Sequence, residues 1–440
     1  MQNILILGAG LVAQPLIDYL RDKNKYQLTI ASKEFDKALQ NYGSDTISLV
    51  QLDLNDDSQL QGLIKKSDLV ISLVPYSFHV RVAKHCIESH INMITASYVS
   101  DEMKALDQAA KDANILILNE IGLDPGIDHM SAMKMIDRFK KDGGKIIAFE
   151  SNTGGLPFWD SITTPFKYKF SWSPVGVLMA AKNPAQYMEN GEIKNIPNKQ
   201  LFKISKKLDL GEFGEYEVYP NRDSIKYISL YKLDDVKYMY RGTIRNIGWS
   251  DVFSAIIDLD MLNNETVYEL SDVSFNDFFC IHTNNEVQPA LGLACKLLNL
   301  DPLSKVIQKL KWLGLFSSEK INKEKASSFD VLLNRLNKNL TYSEDENDLI
   351  IMQHRFDVQF NDVKKRYKSL LIASSDGEIY SIMAKTVSLP AAIAAHLILE
   401  NKIQLTGVQI PLMPEIYEPV LDELEKFHIK FRESSEIIRD

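Results

Sequence analysis

The sequence predicts an α/β protein whose first domain is a doubly wound parallel sheet. Three observations carry that prediction. An apolar run at the start meets a glycine turn, strands and helices then alternate to residue 119, and a nearly all-apolar helix near the chain end must be buried between other elements.

Asn3–Leu7 is rich in Ile and Leu, as in a strand covered on both faces. It runs into Gly8-Ala9-Gly10-Leu11-Val12-Ala13, then an amphipathic stretch from Gln14 to Asp22, then a second apolar run at Gln27–Ala31. Strand, glycine turn, helix and strand over this length form a dinucleotide-binding unit. Gly8 permits the tight turn, Gly10 lets backbone N–H groups approach a pyrophosphate, and Ala13 allows close helix–strand packing. Leu11 and Val12 complete the phosphate turn.

The end of the second strand reports on the cofactor. Ser32 and Lys33 suit a ribose 2′-phosphate, whereas Glu34 is the acid that would bond a free 2′-hydroxyl. The balance favours NADP(H) over NAD(H). Strands are expected at Thr46–Leu52, Leu69–Val74, Ile91–Thr95 and Ile115–Asn119, with helices at Asp57–Lys66, Phe78–Ser89 and Asp101–Asp112. Ligands bind such sheets outside the carboxyl ends of the strands. Asp53, Val74-Pro75-Tyr76 and Ser97-Tyr98 fall there, and Asp53, Val74 and Pro75 join the cofactor-binding set.

The segment Glu120–His129 holds two glycines, a proline and several acids on one constrained turn. Asp128 is expected to cap a helix beginning near His129, whereas Asp124 has no such structural task. His129 reads as structural, and no second metal ligand stands at useful spacing, so no metal is expected.

Lys145–Asn152 resumes as a strand. Strands are also expected at Lys226–Lys232, Val236–Ile244, Leu349–Phe360 and Leu370–Lys385, and helices at Ala290–Leu298, Pro302–Trp312, Lys325–Asn337, Pro390–Glu400 and Pro419–Phe427.

At 440 residues more than one domain is expected, and a 45% hydrophobic, 25% charged composition excludes disorder along the length. A net charge of −9 gives no electrostatic reason to coat nucleic acid or an anionic membrane. No stretch is expected to span a membrane, and the start lacks a signal-peptide pattern, so a cytoplasmic location is expected. Cys86, Cys280 and Cys295 are isolated, and reduced thiols in a reducing compartment are the expectation.

Several segments together resemble the glutamate-forming saccharopine dehydrogenase family. They are Gly8–Pro15, Val70–His79, Asn119–His129, Tyr168–Ser173, Tyr219–Ser224, Arg241–Arg245, Trp312–Ser317, Asp348–Phe356 and Pro414–Ile416. They are collinear and run almost the whole chain. The resemblance implies a variant Rossmann dinucleotide-binding domain (1–124 and 386–440), a mixed α/β substrate and dimerisation domain (125–287 and 347–385) and a small helical domain (288–346).

It also implies the reaction, in which saccharopine, NAD(P)+ and water exchange with glutamate, aminoadipate semialdehyde and NAD(P)H. The small-molecule substrate and a homodimer are the partners implied. Asp124 and Tyr98 line the site by resemblance, where the chemistry needs a general acid/base. Saccharopine carries three carboxylates, and a guanidinium is a natural partner for one; Arg222 is the first choice and Arg241 the second. Ser97, Gly155 and Thr243 are the small groups expected to contact substrate.

The chain departs from the family at Thr153, where Cys is usual, at Val175, where Arg is frequent, and at Phe158-Trp159-Asp160. Ser32-Lys33 replaces a Cys-Arg pair common in NADPH-dependent members, keeping the charge and losing the planar fork. An oxidoreductase of another secondary amine or imine, carboxynorspermidine-like, and a non-catalytic nucleotide-binding module are the competing readings.

Overall fold

The computed structural model describes residues 1–10, 12–42, 47–284, 289–361 and 363–438. Its chain forms two compact units: Met1–Lys145 with Phe360–Val363 and Ser369–Ser434, and Ile146–Gln359 with Lys364–Lys368 and Ser435–Asp440. Residues 125–145, expected with the substrate domain, therefore lie in the first unit, and the described residues of 288–346 lie in the second. The expected boundary at 287–288 falls outside the described residues.

The first unit is built on β1 (Gln2–Leu7), β2 (Tyr26–Ser32), β3 (Ile47–Gln51), β4 (Leu69–Ser72), β5 (Asn92–Ile94) and β6 (Leu116–Leu118). A strand from the chain end, Gly407–Gln409, pairs with β6, giving the order Gly407–Gln409, β6, β5, β4, β1, β2, β3. Every pairing is parallel. Strands buried on both faces explain the unbroken apolar runs: Leu5, Ile6 and Leu7 of β1 and Val70 and Ile71 of β4 have no exposed surface. The order reverses between β1 and β4, where Leu7 lies opposite Ser72. Such a reversal opens the crevice in which doubly wound sheets bind ligands.

Two prolines taken as helix starts lie inside helices. Pro390 sits within Ile382–Leu399, and Pro419 within Pro414–Glu425. The expected strand Leu370–Lys385 accordingly stops at Ser374. The Ser381 hydroxyl caps the longer helix by accepting from the Ala384 N–H at 3.1 Å, and burial outweighs the one backbone bond that Pro390 removes. With 18 residues and a mean hydropathy of 1.7, Ile382–Leu399 is long and apolar enough to cross a membrane, contrary to the expectation that no stretch is. In the structure 89% of it is buried, against α1 (Gln14–Asp22) among others.

The second unit's sheet runs in the order Lys206–Asp209, Glu215–Pro220, Tyr238–Asn246, Lys145–Pro157, Asp348–Phe360. Trp249 and Phe253 of the helix Trp249–Asp258 stack at 4.0 Å between ring centroids in its core. The expected strand Lys226–Lys232 is a helix over Lys226–Leu230. Tyr227 and Tyr231 suggest a strand by composition, yet they stand four apart and are both buried, with ring centroids 5.5 Å apart.

Candidate active site

In the first unit the site grows from the carboxyl ends of β1, β2, β4, β5 and β6. Gly8 follows β1 with φ +102°, and a side chain there would come within 3.0 Å of the Leu73 carbonyl oxygen. Only glycine therefore suits this close approach of β1 to the chain leaving β4. Gly10 is exposed with open space around its Cα, and its carbonyl accepts from the Ala13 N–H at 3.1 Å. The N-cap of α1 is Ala13, which supplies no side-chain acceptor to the helix's first N–H groups. An open glycine turn feeding an uncapped helix start fits a dinucleotide pyrophosphate. Val12 is half-buried beside it; Leu11 lies outside the described residues.

At the end of β2, the Lys33 ammonium lies 3.3 Å from Asp53 Oδ2, both side chains being exposed. Asp53 also accepts from the Asn55 backbone N–H at 3.0 Å, and that bond, with Lys33 second, holds its carboxyl below the usual carboxylate range. The Ser32 hydroxyl accepts from the Glu34 N–H at 3.2 Å. Lys33, Glu34, Phe35, Asp36 and Gln51 line a surface depression here, with the Lys33 ammonium as its cation beside two carboxylates. Val74 is half-buried and Pro75 exposed beyond β4.

Two residues placed together from the sequence are in contact. The Tyr98 hydroxyl donates to Asp124 Oδ1 at 3.1 Å, and both residues remain half-exposed. The turn holding Asp124 is closed from within. Glu120, buried and at φ +57°, accepts from the Val99 N–H at 2.9 Å through one oxygen and contacts His129 Nε2 at 2.7 Å through the other. Gly126, at φ +146°, leaves no room for a side chain, because a Cβ would fall 2.0 Å from the Gly122 carbonyl oxygen. The helix begins at Ile127, so Asp128 does not precede it; from the first turn its Oδ1 accepts the Gly126 N–H at 2.6 Å.

His79 was not singled out from the sequence. It is buried, with Nδ1 2.9 Å from the Ser72 hydroxyl and Nε2 2.8 Å from the Ser97 hydroxyl, and Thr95 Oγ1 is 3.3 Å from Nε2. Burial lowers its pKa from 6.5 to about 4, so the ring is neutral at neutral pH. The signal available beforehand was only a histidine at a helix start, with its partners on other strands.

In the second unit, Tyr238–Asn246 runs parallel to Lys145–Pro157, with Thr243 opposite Thr153. Arg241 is buried, its guanidinium carbon 4.1 Å from the centre of the Tyr227 ring. Its backbone carbonyl accepts from the Asn221 N–H at 2.8 Å, tying it to the turn that presents Arg222. Arg222 is exposed at φ +53°. Thr243 and Gly155 are half-buried. The tight position is Gly154, where a Cβ would meet the Ile244 carbonyl oxygen at 2.6 Å. Thr153 is buried and its hydroxyl has no hydrogen-bond partner among the described residues. Val175 is exposed on the helix Pro174–Ala180. Among the described residues, no group of three or more His, Cys, Asp or Glu is arranged to hold a metal ion.

Comparison with known proteins converges on one family. Residues 4–118 match the saccharopine dehydrogenase NADP binding domain, and residues 122–429 the saccharopine dehydrogenase C-terminal domain. The saccharopine dehydrogenase [NADP(+), L-glutamate-forming] of Pyricularia oryzae is 34% identical, covering 98% of each chain. The mitochondrial alpha-aminoadipic semialdehyde synthase of Mus musculus is 35% identical over 99% of this chain, which spans 48% of that longer protein. The apo saccharopine dehydrogenase (L-Glu forming) of Saccharomyces cerevisiae superposes with a TM-score of 0.90 at 33% identity, covering 99% of this chain and 100% of the other. The chain belongs to the saccharopine dehydrogenase family.

Proposed function

We propose that this protein is an NADP-dependent saccharopine dehydrogenase of the glutamate-forming type, interconverting saccharopine, NADP+ and water with glutamate, aminoadipate semialdehyde, NADPH and a proton. Family membership supports the reaction, and the contact of Tyr98 with Asp124 outside the ends of β5 and β6 carries the assignment of the acid/base pair.

In the oxidative direction the secondary amine must first lose its proton. Asp124, which accepts a hydrogen bond from Tyr98, takes that proton and, now neutral, holds it for return to nitrogen later in the reaction. NADP+, held by the turn of Gly8 and Gly10 and the start of α1, would supply the hydride acceptor for the carbon that was the ε-carbon of lysine. Water then adds to the imine carbon and gives up a proton, and nitrogen takes one. As the carbon–nitrogen bond breaks, the carbinol hydroxyl loses its own, releasing glutamate and leaving the aldehyde on the other fragment. The same pair serves proton transfer in both halves. Arg222 is assigned to a substrate carboxylate, Arg241 to supporting that turn, and Ser97, Gly155 and Thr243 to closer substrate contacts. Gly8, Gly10, Leu11, Val12, Val74 and Pro75 are assigned to the dinucleotide, and Ser32, Lys33 and Asp53 to its ribose end.

The same reading takes the protein as a cytoplasmic homodimer, which light scattering of the purified protein and fractionation of cells test. The reaction itself is tested by absorbance at the reduced-nicotinamide band with saccharopine and either NADP+ or NAD+. A rise with NADP+ that needs saccharopine is expected; silence with both, from folded protein that binds NADP+, would overturn the substrate.

A further inference from the structure

Resting on the reading that Ser97 contacts substrate, we infer that His79 is a positioning residue: with Ser72 it fixes the direction of the Ser97 hydroxyl, making Ser97 a hydrogen-bond donor to a carboxylate of the substrate.

Counting donors and comparing their distances fixes the direction. Ser72 has no exposed surface, and the ring of His79 is the single hydrogen-bond partner of its hydroxyl among the described residues. A buried hydroxyl that only accepted would leave its own proton unpaired, at the full desolvation cost of that group. Buried Thr95 makes the opposite demand, because His79 Nε2 at 3.3 Å is the one acceptor its hydroxyl reaches among the described residues. Either tautomer thus leaves one proton unpaired. The shorter contact decides between them, and Ser72 donates to His79 Nδ1 across 2.9 Å. A neutral imidazole with a lone pair on Nδ1 carries its proton on Nε2. That N–H faces Ser97 Oγ at 2.8 Å, with Thr95 Oγ1 at a longer 3.3 Å. Ser97 thus receives a hydrogen bond, and its own O–H is left to donate elsewhere.

The Ser97 backbone is held as well. Its N–H donates to Thr95 Oγ1 at 3.3 Å, and its carbonyl accepts from the Glu120 N–H at 3.1 Å. Ser97 is half-buried, in contrast to the enclosed Ser72 and His79, so its free O–H is the end of the relay that a ligand can reach. Of the substrate's polar groups, ammoniums present donors only and the secondary amine is assigned to Asp124 and Tyr98, whereas a carboxylate oxygen accepts this proton.

The relay is tested by variants that keep one end of the imidazole and lose the other. The amide of His79→Asn reaches about as far as Nδ1 and meets Ser72 only; the amide of His79→Gln reaches about as far as Nε2 and still donates to Ser97. Ser97→Ala and His79→Asn are each expected to raise the saccharopine KM about tenfold, and the double variant no further. His79→Gln should stay within about twofold of the parent, and NADP+ binding, read by quenching of protein fluorescence, should be unchanged throughout.

Equal damage from Asn and Gln, or an unimpaired His79→Asn beside an impaired Ser97→Ala, would overturn the relay while leaving Ser97 as a substrate contact. A silent Ser97→Ala would instead remove that contact and the relay with it. If the His79 variants do not fold, nitrogen NMR of the parent decides. A single Nε2–H tautomer whose resonance moves on adding saccharopine supports the relay; an Nδ1–H tautomer overturns it.

Discussion

The turn after β1 and the turn after β6 each leave a parallel strand and lead into a helix, yet among the described residues only the second is closed by its own side chains. The first ends in an uncapped helix with open space around Gly10. The second packs Glu120, Asp128 and His129 into its interior and leaves Asp124 half-exposed to meet Tyr98. Backbone donors that are to serve a bound phosphate must be left unpaired by the protein, whereas a group that moves protons must be held in place. On the proposed assignment, openness and closure divide binding from chemistry on one sheet.

The sharpest way to break this contrast is to add one methyl group to each turn. Gly126→Ala places a carbon 2.0 Å from the Gly122 carbonyl oxygen, and a loss of more than about 4 kcal/mol, seen as little folded protein in a thermal melt, is expected. A melt close to the parent's would show that the second turn is not rigid. At the other extreme, Gly10→Ala should leave stability within about 0.5 kcal/mol and show its effect only in weaker NADP+ binding.

Between these lies an acid limb. His79 has a pKa of about 4 when folded and an ordinary value of 6.5 when unfolded, so between them the unfolded chain binds more protons. Its contribution is complete above 6.5 and falls as the pH drops toward 4, with a slope of at most about 1.4 kcal/mol per pH unit. Denaturant midpoints across this range should show the slope in the parent, and His79→Gln should flatten it. Smaller again, Lys33→Ala should weaken NADP+ about tenfold and leave NAD+ nearly unchanged in a binding titration. An equal loss of both would move the 2′-phosphate contact away from Lys33.

The open turn was legible in the sequence because glycine spacing between two apolar runs reflects a backbone requirement. The closed turn was legible only as an unusual density of Gly, Pro and acids. Asp124 and Tyr98 entered through resemblance, and their contact needed the fold, since β5 and β6 bring together residues far apart in the chain. His79 gave no usable signal because Ser72 and Ser97 reach it from the ends of other strands, and the Glu120–His129 contact, although within one turn, has no spacing that marks it in advance. Pro390 and Pro419 misled for a related reason: a local breaker signal yields when a buried helix gains more from packing than it loses in one hydrogen bond.

The most direct test of the division between binding and chemistry is Asp124→Asn, assayed for saccharopine turnover and for NADP+ binding in the same preparation. The expected result is a kcat lowered about a hundredfold with NADP+ affinity and melting temperature unchanged. Turnover equal to the parent's, with the variant folded and NADP+ bound, would contradict the assignment of proton transfer to Asp124.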